Sequence, residues 1–190
     1  MGYLRKRGEM MNLVQPIRDK EVLKEMRQYF KEQSERNYLM FLLGIHTGLR
    51  ISDILALKVK DVQGWEIFIK EKKTGKLREI KMTSELKRVA RSYTQGKPRH
   101  EYLIKSREGK NKPISRSMAY KILNQAAEEF GLERIGTHSL RKTYGYHHYK
   151  KFNDIVTLQE ALNHDEMNVT KRYIGIKQDE LNKQQTKIDW

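Results

Sequence analysis

The chain contains no cysteine. Disulfides, thiolate nucleophiles and cysteine-based zinc sites are therefore excluded. Proline is scarce, at three in 190 residues, and no internal repeat or low-complexity linker is visible. No domain boundary suggests itself, and the length suits one domain with a real core and a small appendage. No apolar run approaches the ~18 residues that a membrane-spanning helix needs. The basic start, MGYLRKRGEM, lacks the apolar segment of a secretory signal. Met10 or Met11 offers an alternative start, which makes residues 1–12 a basic arm or a remnant of cloning. An intracellular protein is expected.

Acidic residues are also in short supply. Twenty-four Asp and Glu face 39 Lys and Arg, giving a net charge of +15 and a pI near 9.8. Such an excess favours a polyanionic partner. A basic protein without a nucleic-acid role and a binder of acidic membranes are the other readings, but no single basic amphipathic helix supports the membrane. Charge says nothing about reaction type.

Helix signals dominate what is present. Asp19 is placed to cap a helix carrying Val22, Leu23, Met26, Tyr29 and Phe30 on one side. An apolar helix containing YLMFLLGI is predicted from about Glu35 to Thr47, stopping at Gly48. A short helix follows from Ser52. Residues 65–71 and 77–82 then read as two strands joined through Thr74-Gly75. Further helices are predicted from Thr83 or Ser84 to Thr94, from Ser115 to Gly131, from His138 to Phe152, after Asp154, and after Asn168. Tyr102-Leu103-Ile104 suggests a short third strand. The fold class is mainly α (α+β), with one small antiparallel β-hairpin.

Polar residues in four stretches stand out. Arg50 follows Gly48 at the end of the apolar helix, where its guanidinium could fork onto two phosphate oxygens. An ordinary arginine favouring the helix dipole explains it too. Asp53 either orients Arg50 through a salt bridge or is a common first-turn acid. His138 and Arg141, at i and i+3, share a helix face and could meet one phosphate. Taken alone, HSLRKTYGYHHYK is better explained as a surface helix rich in His, Lys and Tyr. Lys73 sits at the hairpin among Lys70, Lys72 and Lys76, and spacing does not choose between them. Tyr173, nine residues after His164, lies in the polar stretch NVTKRYIG. A half-buried anchor is the usual role of such a tyrosine. A free phenol has a pKa near ~10, so nearby positive charge is what would make it a competent nucleophile. Taken together, the set could neutralise a phosphate, move protons and attack phosphorus.

TGLRISDILALKVKDV, EKKTGKLREIKM, THSLRKTYGYHHY and LNHDEMNVTKRYIG, in this order, resemble the catalytic domain of the tyrosine recombinases, the phage integrase family. The resemblance covers residues 13–175 and leaves 176–190 as a C-terminal tail. It implies a site-specific DNA recombinase that cleaves and rejoins DNA through a 3′-phosphotyrosyl intermediate. Tyr173 would be the nucleophile, and Arg50 and Arg141 would stabilise charge on the non-bridging oxygens. Lys73 would protonate the departing 5′ oxygen. His138 would help accept the tyrosine proton, and His164 would donate a hydrogen bond to the phosphate. Asp53 matches an acidic position beside the site. Neither metal nor cofactor is implied.

The implied partner is double-stranded DNA, with Arg116, Lys121 and Lys142 as candidate contacts. Self-association into a tetramer on DNA is implied as well. The tail, with Ile176, Leu181, Ile188 and Trp190 as sparse anchors, would dock on a neighbouring copy. No membrane and no small-molecule substrate are expected, and the location would be a bacterial cytoplasm, at the nucleoid, with the protein encoded by the bacterium or a phage. Two departures stand out. Asn163 replaces the usual glycine, and asparagine tolerates left-handed backbone. The family's N-terminal core-binding domain would precede residue 13, so the chain is either a fragment or a naturally short member. The competing readings are a type IB topoisomerase-like nicking-closing enzyme and a DNA-binding regulator or accessory protein on the same fold. His138 in His-x-x-Arg favours the recombinase, and a pure binder has no need of Tyr173.

Overall fold

Asp19 opens the first helix, α1 (Lys20–Gln33), by accepting hydrogen bonds from the amides of Glu21 and Val22. Ser34 ends α1 and caps α2 (Glu35–Thr47) in turn. The computed structural model describes residues 14–70, 75, 77–163, 170, 171, 173–176 and 184–187. Among these, α3 (Ile51–Ile54), a 3₁₀ turn (Val59–Val62), β1 (Glu66–Lys70), β2 (Leu77–Lys81), α4 (Ser84–Thr94), α5 (Arg116–Glu129), α6 (Thr137–Phe152) and α7 (Ile155–Ala161) follow. Among the described residues no helix is long and apolar enough to cross a membrane.

The centre of the fold is α2. Every residue from Tyr38 to Gly44 is buried, because the helix is apolar on all sides and has no polar stripe to turn outward. It packs against α1, α4 and α6. Contact with α6 is close at Gly44, where an added Cβ would lie 2.6 Å from Leu140 Cβ and 2.5 Å from its Cδ1. Gly44→Val is expected to cost about 1–3 kcal/mol of stability by forcing the two helices apart. A urea melt measures this, and an unchanged midpoint would show that the contact is compliant.

β1 and β2 form an antiparallel hairpin in which Ile67 faces Ile80 and Phe68 faces Glu79. Ile67 is buried, whereas Phe68 and Leu77 are exposed. Of the connecting residues only Gly75 is described, with φ +69°. The third strand expected at Tyr102–Ile104 does not form. Tyr102 makes an isolated bridge to Lys58, and Lys105 another to Pro113. Leu103 and Ile104 are both buried, and their backbones bond to Leu57 and Ile114 on different segments. The segment is tied down from two directions, so no ladder propagates.

α6 has no apolar stripe, yet Ser139 to Thr143 are all buried. This inward polar face needs partners, and residues 14–17 supply those of Thr143 and Lys142. The Ile17 amide donates to Thr143 Oγ1 at 2.9 Å, Lys142 Nζ donates to the Val14 carbonyl at 2.8 Å, and His147 Nε2 lies 3.0 Å from the Ile17 carbonyl. This segment, with the adjoining Arg18 over the Tyr146 ring, lies along α6 as a strap. A second, smaller core of Leu158, Leu162, Ile174 and Ile176 also adjoins α6, and Tyr144, Tyr146, Tyr149 and Tyr173 pack against it. Ile176 of the tail is thus anchored within this chain. Leu181, Ile188 and Trp190 lie outside the described residues, as do residues 1–12.

Candidate active site

The site begins with Gly48. It ends α2 in the left-handed region at φ +64°, and an added Cβ would stand 2.5 Å from the Tyr144 ring. Side chains rarely adopt this backbone, and no room exists for one. The turn delivers Arg50 between Leu49 and Ile51, which are 1% and 2% exposed. Arg50 is therefore a partly exposed cation on a backbone fixed from both sides. The Asp53 amide donates to the Arg50 carbonyl at 2.9 Å, and the Asp53 side chain is buried.

Arg141 is the largest fully buried side chain among the described residues, at 2% exposed. Its Nη1 donates to the Gly48 carbonyl at 2.6 Å, and its Nη2 donates to the Leu162 carbonyl. One guanidinium therefore ties the end of α2 to the end of α7. The expectation of a surface helix at this position fails, because α6 turns its cationic face into the molecule. Arg141 also has a structural role, which sequence reasoning did not anticipate.

Tyr173 completes the group. Burial pushes its phenol above the ordinary value, while the charges of Arg141 and Arg50, and a hydrogen bond from Arg141, pull it down. Both arginines therefore bear on one phenolic oxygen. Bringing a further negative charge to that place, such as a phosphate, lets the same cations serve both groups. His138 stands at the first turn of α6 with its imidazole solvent-accessible. Its pKa is lowered, first by desolvation and then by Arg116, Arg141, Lys142 and Arg50. A lowered histidine is neutral at pH 7 and can accept a proton.

The other expected residues divide. Arg116 and Lys121 are exposed on α5, and Arg116 is close enough to bear on His138. Lys142 is buried at 7% exposure, with its ammonium on the Val14 carbonyl. An outward DNA contact is therefore corrected to an inward one. Its burial follows from the strap, whose carbonyl gives the ammonium a partner away from water. Lys73 and His164 lie outside the described residues. Asn163, immediately before His164, has φ +47°, as expected of an asparagine in the place of a glycine.

Two residues near the site were missed. Tyr144 lies under Gly48, and its phenol, pushed up by burial, is pulled down by Arg78 and Arg141. Its i+3 spacing from Arg141 was the available signal. Arg18, on the strap, bears on Lys142, and no pattern in the sequence pointed to it.

A sequence model described as the Phage integrase family matches residues 17–180. "Probable integrase/recombinase YoeC" of Bacillus subtilis (strain 168) is 49% identical over 170 residues, covering 89% of this chain and 93% of that protein. A "Tyrosine recombinase" of Pseudothermotoga lettingae is 30% identical over 152 residues, covering 77% of this chain and 52% of the relative. The chain thus spans about half the length of that second relative. A crystal structure of XerA recombinase superposes with a TM-score of 0.73 at 19% identity, covering 93% of this chain and 66% of the other. At that identity the likeness speaks for the fold.

Proposed function

The chain belongs to the phage integrase family, and on that premise we propose that it is a site-specific DNA recombinase acting through a covalent link between Tyr173 and a DNA 3′-phosphate. The observation that carries this reading is the convergence of two guanidiniums on one buried phenol. A protein that only bound DNA would have no need of a phenolic hydroxyl within reach of both guanidinium charges.

In this mechanism the Tyr173 oxygen attacks the scissile phosphorus and the bond from phosphorus to the 5′ oxygen breaks. Neutral His138 takes the phenolic proton, and Lys73 supplies one to the departing 5′ oxygen. Arg50 and Arg141 face the charge that grows on the non-bridging oxygens, where preorganised donors act strongly because they need no rearrangement. His164 donates a further hydrogen bond to the phosphate. The phosphotyrosyl ester conserves the energy of the broken bond. A 5′-hydroxyl from a second strand then attacks it, restores the phosphodiester and returns the proton to Tyr173.

DNA affinity would come from the basic surface, including Arg116 and Lys121. It would fall by ~0.9 log units per log unit of salt for each phosphate neutralised. Strand exchange needs two duplexes, so self-association on DNA, up to a tetramer with the tail docking between copies, is part of the proposal. So is action at the bacterial nucleoid.

The test is a library of randomised duplexes, each with a nick that lets the cleaved end diffuse away. Incubated with the protein, it is expected to yield a DNA–protein species that survives a denaturing gel and whose sequences converge on one site. Salt-sensitive binding to a defined site with no such species would instead support the regulator on the same fold. Relaxation of supercoiled DNA without exchange between duplexes would support the topoisomerase-like reading.

A further inference from the structure

One buried cation has no part in the mechanism above. Lys142 follows Arg141 on α6 and is 7% exposed. Its Nζ lies 5.1 Å from the centroid of the Tyr173 ring, and the Val14 carbonyl fixes it there at 2.8 Å. That carbonyl is a dipole, so it holds the ammonium in place without cancelling its charge. Arg18 faces Lys142 from the strap, and His138 faces it from one turn earlier on α6. Arg50 and Arg141 face the phenol. The groups identified around this pair are cationic or neutral.

We propose that Lys142 is a positioning residue for Tyr173, clamping the ring between the strap and the second core and stabilising the phenolate that attacks phosphorus. The proposal rests on Tyr173 being the nucleophile. A cation over an aromatic face is attracted by the ring quadrupole. The attraction strengthens once the phenol loses its proton, because the ring then carries negative charge. Burial and Arg18 both weaken the hold of Lys142 on its own proton. A negative charge on Tyr173 relieves this, so protonated lysine and ionised tyrosine stabilise each other. The lysine acts through the ring face and needs no contact with the reacting oxygen. Val14 completes the arrangement, so the segment leading into the domain is one hydrogen bond from the cation on the nucleophile.

The test is a titration of the whole chain carrying 3,5-difluorotyrosine, whose fluorines bring phenol ionisation into an accessible pH range. Fluorine NMR resolves the rings, and the Tyr173 signal is the one lost in Tyr173→Phe. Lys142→Met is expected to raise the Tyr173 midpoint by about one pH unit, and Lys142→Arg, which keeps the cation, to restore most of it. If Lys142→Met does not fold, Lys142→Gln is read in the same way. An unmoved midpoint in the neutral variants, or an equal rise in Lys142→Arg, would overturn the proposal. So would the failure of both neutral variants to fold beside a folded Lys142→Arg, since the lysine would then be a strut. The titration needs no DNA. A wild-type protein that forms no adduct would sink the recombinase reading and leave this result intact.

Discussion

Tyr173→Phe is expected to yield no covalent DNA–protein species under conditions where the wild-type chain gives a clear one. Phenylalanine keeps the ring and its packing against the cluster of Leu158, Leu162, Ile174 and Ile176, and it lacks only the attacking oxygen. The loss of one hydroxyl hydrogen bond is expected to change stability by only about 1 kcal/mol. Non-covalent DNA binding should persist with the wild-type salt dependence, because that affinity resides in the basic surface. The instructive control is Tyr144→Phe. Tyr144 is a second, half-buried phenol within reach of the Arg141 charge. Its ring is trapped beneath Gly48, where an added Cβ would stand 2.5 Å away. If the adduct survives in Tyr173→Phe and vanishes in Tyr144→Phe, the nucleophile has been assigned to the wrong tyrosine.

The fold and the site were legible in the sequence to different depths. α2 could be read almost to the residue, because an apolar helix between Ser34 and Gly48 carries its own start and stop. The hairpin was legible for a similar reason, since two β-prone runs flank a turn dipeptide. Tyr102–Ile104 was misread because β propensity is local, whereas a ladder needs a partner strand in register. The left-handed backbone at Asn163 could be anticipated from the resemblance, in which asparagine takes the place of a glycine. α6 was legible as a helix from His138 to Phe152, but its buried face could not be read from its pattern. Hydrophobic periodicity locates a buried face only when that face is apolar, and here Ser139, Arg141, Lys142 and Thr143 point inward. What satisfies them lies far off in the chain, as in the bonds from Arg141 to Gly48 and from Lys142 to Val14, 128 positions away. The motifs named the residues of the site. Which of them is a structural bolt as well as a charge was visible only in three dimensions.

Arg141→Lys separates those two roles. The charge is retained, so a purely Coulombic view predicts a mild effect. The geometry predicts a severe one. A guanidinium reaches the Gly48 carbonyl with one nitrogen and the Leu162 carbonyl with another while its charge bears on Tyr173. One compact ammonium does not span these positions. Adduct formation is expected to fall by ~10²–10³, the usual loss for one preorganised donor. A buried carbonyl left without its donor is expected to cost about 1–3 kcal/mol in a denaturant melt. Arg141→Ala should lower stability in the same sense, because it abandons both carbonyls. Arg50→Lys is the comparison. Arg50 is only partly buried, so its replacement should slow adduct formation similarly while leaving the melt near that of the wild type. If Arg141→Lys kept wild-type stability and lost only activity, the guanidinium would not be the tie between α2 and α7. If it kept activity, the convergence of two arginines on Tyr173 would have no catalytic meaning.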